Sequence, residues 1–139
     1  MKATLSPLQL KDIQIFKFKL EENIEGLNNF SIDIDFKPVL VDVDEEKLNG
    51  LLVEIKINNK ARNTKLKLET KLLAVFEIDK NLDDERKARL LIYNGLSIVY
   101  GFIRGMVFQK CSYLSPQYRI LPSINLADLI EKTIKEKIS

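Results

Sequence analysis

Leu90-Leu91-Ile92-Tyr93-Asn94-Gly95-Leu96-Ser97-Ile98-Val99-Tyr100-Gly101-Phe102-Ile103-Arg104-Gly105-Met106-Val107-Phe108 is apolar on most of its circumference when wound as a helix, and Arg104 is its only charge. Asp83-Asp84-Glu85 ahead of it is an acidic start that suits the helix dipole, so the spacing predicts a helix over about 83–108. A helix that is apolar all round must be covered on more than one side. Three environments would do that. A membrane span needs ~20 apolar residues, but Asn94, Gly95, Ser97, Gly101, Arg104 and Gly105 interrupt this run, so no membrane insertion is expected. A monomeric core is the second, yet one sheet face covers only one side of a helix. The third is a helix held between its own sheet and a partner subunit. This reading is preferred, with Leu96, Val99, Tyr100, Ile103 and Val107 assigned to the oligomer interface. Gly95, Gly101 and Gly105 would let a second helix approach closely.

Everything before this helix reads as strand. Residues 10–20 alternate, but the apolar phase slips by one near Ile15-Phe16, which predicts a bulge or a change of covering layer. Residues 21–29 lack periodicity, carry Gly26 and three Asn, and read as a loop too long for a tight hairpin. In residues 30–43, Phe30, Ile32, Ile34 and Phe36 alternate with polar residues, and after Pro38 the apolar set becomes Val39, Val41 and Val43. Pro cannot donate to a ladder, so a bulge or an edge position is expected there. Residues 44–50 connect to the next strand and end in Asn49-Gly50, a hairpin-type signal. Residues 51–57 alternate with Leu51, Val53, Ile55 and Ile57 inward; residues 65–78 start alternating and turn apolar on both faces after Lys71, as on entering a two-sided core or an interface.

Beyond the long helix, residues 126–137 form a second one. Asn125 can cap it, Asp128 follows three residues on, and Leu129, Ile130, Ile134 and Ile138 make an amphipathic stripe. Strands followed by helices suggest the α+β class, an antiparallel sheet with segregated helices. The 139 residues suit one domain, 1–139, and 45% hydrophobic residues suffice for a core.

Composition limits the chemistry. The chain has no His, which excludes His-based triads, His-ligated zinc and His proton shuttles. Cys111 stands alone, which excludes an intramolecular disulfide and every CxxC site; it reads as a packed thiol. The formal charge of +2 gives no strong field for nucleic acid or an anionic membrane. Asp42, Asp44, Glu45 and Glu46 gather carboxylates, but their spacing matches no calcium loop, and no metal site is expected. Lys60, Arg62, Lys65, Lys67 and Lys71 make a basic stripe without interleaved aromatics. No GxxxxGK, GxSxG or GxGxxG occurs. No catalytic residue and no cofactor are expected, and the chain reads as something other than an enzyme. Met1-Lys2-Ala3-Thr4-Leu5-Ser6-Pro7 shows no apolar run after Lys2, from which a cytoplasmic, reducing address is expected. What stands out is surplus apolar area around the 21–29 loop and on the last helix, which soluble proteins seldom keep without a partner.

Pro116-Gln117-Tyr118-Arg119-Ile120-Leu121-Pro122-Ser123-Ile124-Asn125-Leu126-Ala127-Asp128-Leu129-Ile130 resembles the segment before and into the last helix of SecB, the protein-export chaperone. Residues 90–108 resemble that family's long apolar first helix, Ala74-Val75-Phe76-Glu77-Ile78 the end of its fourth strand, and residues 10–18 its first. The resemblance implies a four-stranded antiparallel sheet with two helices on one face and a crossover loop at about 21–29. It implies a homotetramer, a dimer of dimers, with the first helix at the interface. It also implies an ATP-independent holdase that keeps unfolded polypeptides in apolar grooves. Carried onto this chain, the client-binding residues are Ile24, Leu27 and Phe30 of the loop and Ile124, Leu126, Leu129, Ile130 and Ile134 of the last helix.

The chain departs from the bacterial export chaperones in charge. Those are acidic and dock on the translocation ATPase SecA through acidic sheet residues. Here Glu69 sits among Lys65, Lys67 and Lys71, and the tail Lys135-Glu136-Lys137 is not acidic, which argues against SecA docking. Some SecB-like relatives instead protect antitoxins, an alternative for this chain. A further alternative is an oligomeric module that binds a folded partner or nucleic acid through the strand-four lysines.

Overall fold

A computed structural model describes residues 1–23, 25–27, 29–111 and 119–138. Strands β1 (Leu8–Glu22), β2 (Ile32–Val43), β3 (Glu46–Ile57) and β4 (Leu66–Ile78) precede helices α1 (Asp84–Lys110) and α2 (Leu126–Ile138). The sheet is antiparallel with the order β1-β4-β3-β2, so β1 and β2 are its two edges. The chain leaving β1 must therefore cross to the opposite edge. It does so over the end of β4: Asn23 N–H donates to Lys65 O at 2.9 Å, Lys65 N–H donates to Leu27 O at 2.8 Å, and Leu27 forms a bridge with Thr64. Gly26 is required at this crossing, because a Cβ there would lie 2.5 Å from the Thr64 carbonyl carbon.

Asn58 ties the crossover to the sheet. It is buried, holds a left-handed φ of 57°, and accepts from Ser31 N–H at 2.7 Å while its amide donates to Asn29 O and Leu66 O, both at 2.8 Å. A short polar side chain is the residue type that tolerates this conformation and satisfies three backbone groups at once.

The two faces of the sheet follow from register. On the inner face Phe36, Val53, Leu72 and Ile15 line up across all four strands, and the core grows from rows of this kind. β1 keeps its place only through irregularities between Leu10 and Asp12 and between Ile15 and Lys17; the second is the phase slip expected at Ile15-Phe16, and it leaves Phe16 exposed. Along β2 no slip occurs. Its pairing with β3 runs unbroken through Pro38, which sits on an edge strand, so Val39, Val41 and Val43 belong to the outer face instead of a shifted inner one. The β2–β3 turn also differs from expectation. Asp44 and Glu45 carry φ of 48° and 68°, the left-handed pair a two-residue hairpin demands, and Asn49-Gly50 lies inside β3.

Helix α1 is capped by Asp83, whose carboxylate accepts from Arg86 N–H at 2.8 Å. Its inward stripe is Leu91, Gly95, Leu96, Val99, Tyr100, Ile103 and Val107. Both helices lie on the inner face of the sheet. Tyr100 OH donates to Pro122 O at 2.6 Å and Arg104 Nε–H to Leu121 O at 3.1 Å, which fastens the segment that leads into α2. Asn125 caps α2 by accepting from Asp128 N–H at 3.0 Å. By length and composition α1 could cross a membrane, but in this fold its inward stripe is packed against the sheet.

Candidate functional site

The eight residues expected to bind clients have separate fates. Ile24 lies outside the described residues. Leu27 projects from the crossover loop with 69% of its surface exposed, and Phe30 is half-buried against the core. Ile124, Leu126 and Leu129 are half-buried, while Ile134 is exposed. Ile130 is a correction. It is fully buried in the hydrophobic core of its own chain, because the α2 stripe turns its centre inward, so it cannot wall a groove.

Leu129 and Thr133 of α2 face the start of β2 across a cleft of about 500 Å³. Ile32 and Ile34 form its apolar part, and Asp33, Asp35, Lys132 and Glu136 are among its polar lining. Of the described residues expected to bind clients, the cleft takes in only Leu129. Ile32 and Ile34 were visible in the sequence as alternating apolar residues that read as core, and Ile34, 8% exposed, does belong to the core, while Ile32 is half-buried against it. The edge position of β2 is what brings both to the border of the cleft.

The five interface residues are also corrected. Leu96, Val99, Tyr100, Ile103 and Val107 all point into the single chain and are at most 4% exposed. Gly95 joins them: a Cβ there would sit 3.3 Å from Phe76 and 3.5 Å from Leu51, so this glycine serves helix-to-sheet packing. The opposite face of α1 carries Ile98, Phe102 and Phe108, exposed at 36%, 39% and 44%. Gly101 and Gly105 have nothing within 4 Å of an added Cβ. Apolar residues all round the helix thus resolve into an inward face that is filled and an outward face that is open.

Charge on the outer sheet face alternates. Lys19, Glu69, Lys56 and Asp33 stand in one row across the four strands. Glu69 is held below the usual carboxylate range, chiefly by the hydrogen bond from Lys17 Nζ at 2.9 Å. Lys67 and Lys71 of the basic stripe flank it on this face, so the lysines are interleaved with acid instead of forming a continuous cationic track. Cys111 is fully buried and its Sγ–H donates to Glu22 Oε1 at 3.4 Å. Burial, aided by Glu22, pushes the thiol up to about 12, so thiolate is scarce at neutral pH. Among the described residues no group of His, Cys, Asp and Glu is placed to hold a metal ion.

No protein-family model matches the chain, and no curated protein matches it in sequence. A solved structure does match in shape: a SecB-like chaperone of Mycobacterium tuberculosis, in complex with a ChAD peptide from the HigA1 antitoxin. The two share 15% identity over 84% of this chain and 90% of that one, with a TM-score of 0.50. This chain has a SecB-like fold. The α+β class, the four-stranded antiparallel sheet and the two helices on one face stand as expected from the sequence. Within the SecB-like fold, the sites described above are this chain's own.

Proposed function

We propose that the protein is an ATP-independent holdase, acting in the cytoplasm, that shields non-native polypeptide segments. The observation that carries this reading is the open cleft between the β2 edge and α2, bordered by Ile32, Ile34 and Leu129, with Ile134 of α2 and Leu27 of the crossover loop exposed outside it. Burying an apolar client side chain there yields ~25 cal/mol per Å², and because that force is non-directional it accepts many sequences. The peptide complex of the similarly folded mycobacterial chaperone supports a polypeptide as the occupant. Since that peptide comes from an antitoxin, protection of an antitoxin is the second reading, and general handling of export clients the first.

The outward face of α1 is the proposed contact between copies. Phe102 and Ile98 would bury against a second chain, and Gly101 and Gly105 would let two helices approach. A tetramer that carries several weak clefts would hold one long client more tightly than any single cleft.

The test is aggregation of a chemically unfolded model enzyme diluted into buffer without nucleotide. Suppression at a stoichiometric ratio is expected, and Leu129→Glu with Ile134→Glu should weaken it by about ten-fold, the loss of ~1.4 kcal/mol. No suppression by the unaltered protein sinks the reading. Light scattering checks the assembly: Phe102→Glu should lower the solution mass without unfolding the chain, and an unaltered protein of strictly monomeric mass refutes the contact.

A further inference from the structure

The outer face of the sheet holds a second apolar cluster that the holdase reading does not use. Val75 is 2% exposed, yet it does not belong to the hydrophobic core. Register places it beside Gly50, with Val39 next in the same row and Leu73 and Leu52 in the row below. A Cβ on Gly50 would lie 2.7 Å from Val41 Cγ2, 2.9 Å from Val39 Cγ2 and 3.1 Å from Leu73 Cδ1. The valines therefore lie down across the glycine beside Val75, which makes a flat apolar island with no helix above it among the described residues. Both helices are on the other side of the sheet.

We infer that this island is a docking site for one short amphipathic helix of a partner protein, carrying carboxylates at the end that lies over Lys37 and Lys71. Size selects the occupant. From Leu48 to Leu52 the island runs ~13 Å along the strands, and it spans ~10 Å across β4, β3 and β2. A face-to-face dimer needs about 800 Å² on each partner, several times that footprint. A helix is ~10 Å wide and covers 13 Å in about nine residues, so two to three turns fill it. Charge selects the chemistry. A cleft of about 170 Å³ bounded by Lys37, Leu52, Glu54 and Lys71 adjoins the island. Of the two carboxylates here, Glu54 pairs with Lys56 at 3.4 Å, while Asp35 accepts only from the neutral Phe36 N–H at 3.0 Å and keeps its charge. Lys37 and Lys71 have no ion-pair partner among the described residues. Two lysines without an ion pair against one such carboxylate, Asp35, leave the charge beside the island net cationic.

The test titrates the isotopically labelled full chain with two synthetic 14-residue amphipathic helical peptides that share a Leu stripe. One carries Glu at a single end and the other Lys. The Glu peptide should shift the amides of Val39, Gly50, Leu52 and Leu73 and bind about ten-fold more tightly than the Lys peptide. Lys37→Glu with Lys71→Glu should reverse that preference, and Leu52→Glu should abolish binding with the spectrum otherwise intact. Equal affinity for both peptides overturns the inference. So do shifts confined to Ile32, Leu129 and Thr133, an outcome that would at the same time favour the holdase cleft. Loss of aggregation suppression without loss of these shifts would sink the holdase reading alone.

Discussion

The inner and outer faces of the sheet are made from the same four strands, one residue out of phase, and they do different things. On the inner face the central strands are closed by α1 and the segment into α2, and Leu51, Leu72, Phe76 and Leu96 lose all contact with solvent, while Ile15 and Leu40 on the two edge strands stay exposed. On the outer face the rows near the crossover alternate in charge, and the rows near the β2–β3 hairpin are apolar and without a cover among the described residues. The lesson is that burial in this chain comes from two separate sources. A helix layer covers one face, and on the other a glycine lets its neighbours fold across it.

Adjacent residues of β4 offer the largest contrast. Leu72→Ala, on the inner face, should cost about 2–5 kcal/mol, because the helices cannot collapse into the space. Leu73→Ala, on the outer face, should cost less than about 1.5 kcal/mol. Urea unfolding of the two variants measures the difference, and equal losses would mean that the outer cluster is as tightly held as the core. Next comes the anchor between crossover and sheet. Asn58→Leu strands buried backbone groups of Ser31, Asn29 and Leu66 and should cost about 2–4 kcal/mol by the same measurement.

Cys111 gives a pH-dependent reading of the inner side. Its thiol is pushed up to about 12 by burial and by Glu22, against an unfolded value near 9. The folded chain therefore binds the proton more tightly than the unfolded one. Stability should hold below pH ~9 and fall as pH rises from there towards 12. Alkylation at pH 9 should be slow in the native chain and faster in Glu22→Gln, and a native rate equal to that of the denatured chain would contradict the burial. The smallest effect belongs to the hairpin under the outer cluster. Asp44→Asn with Glu45→Gly suits the left-handed pair better and should add about 0.5–1 kcal/mol, read as a rise in melting temperature.

Much of the fold was legible. Period-two alternation marked all four strands, the double-faced apolar run of β4 announced two environments, and Asp83 and Asn125 marked the starts of both helices. The bulge at Phe16 showed as a slip of phase. Other features read wrongly for identifiable reasons. Asn49-Gly50 has turn chemistry, but Gly50 is used for close packing of Val39 and Val41, and the turn falls to Asp44-Glu45, which lack the usual Gly. At Pro38, where a bulge or an edge position was expected, the edge position holds and the bulge does not, and the valines after it mark a change of face.

The same limit governs the site. By itself the sequence determined which residues are apolar, at what period, and hence which side chains share a face of their own strand or helix. It determined that α1 has more apolar circumference than one sheet can cover, and that Leu27 and Ile134 sit in segments with apolar area to spare. Only the tertiary structure decided that Leu96, Val99, Tyr100, Ile103 and Val107 turn inward while Phe102 and Phe108 turn outward, that Ile130 is core, and that Ile32 and Ile34 border a cleft. The physical reason is that periodicity orients a side chain relative to its own element's axis. What stands opposite is set by strand order and by the crossover that carries β2 to the far edge, and those arise from contacts between residues distant in the chain.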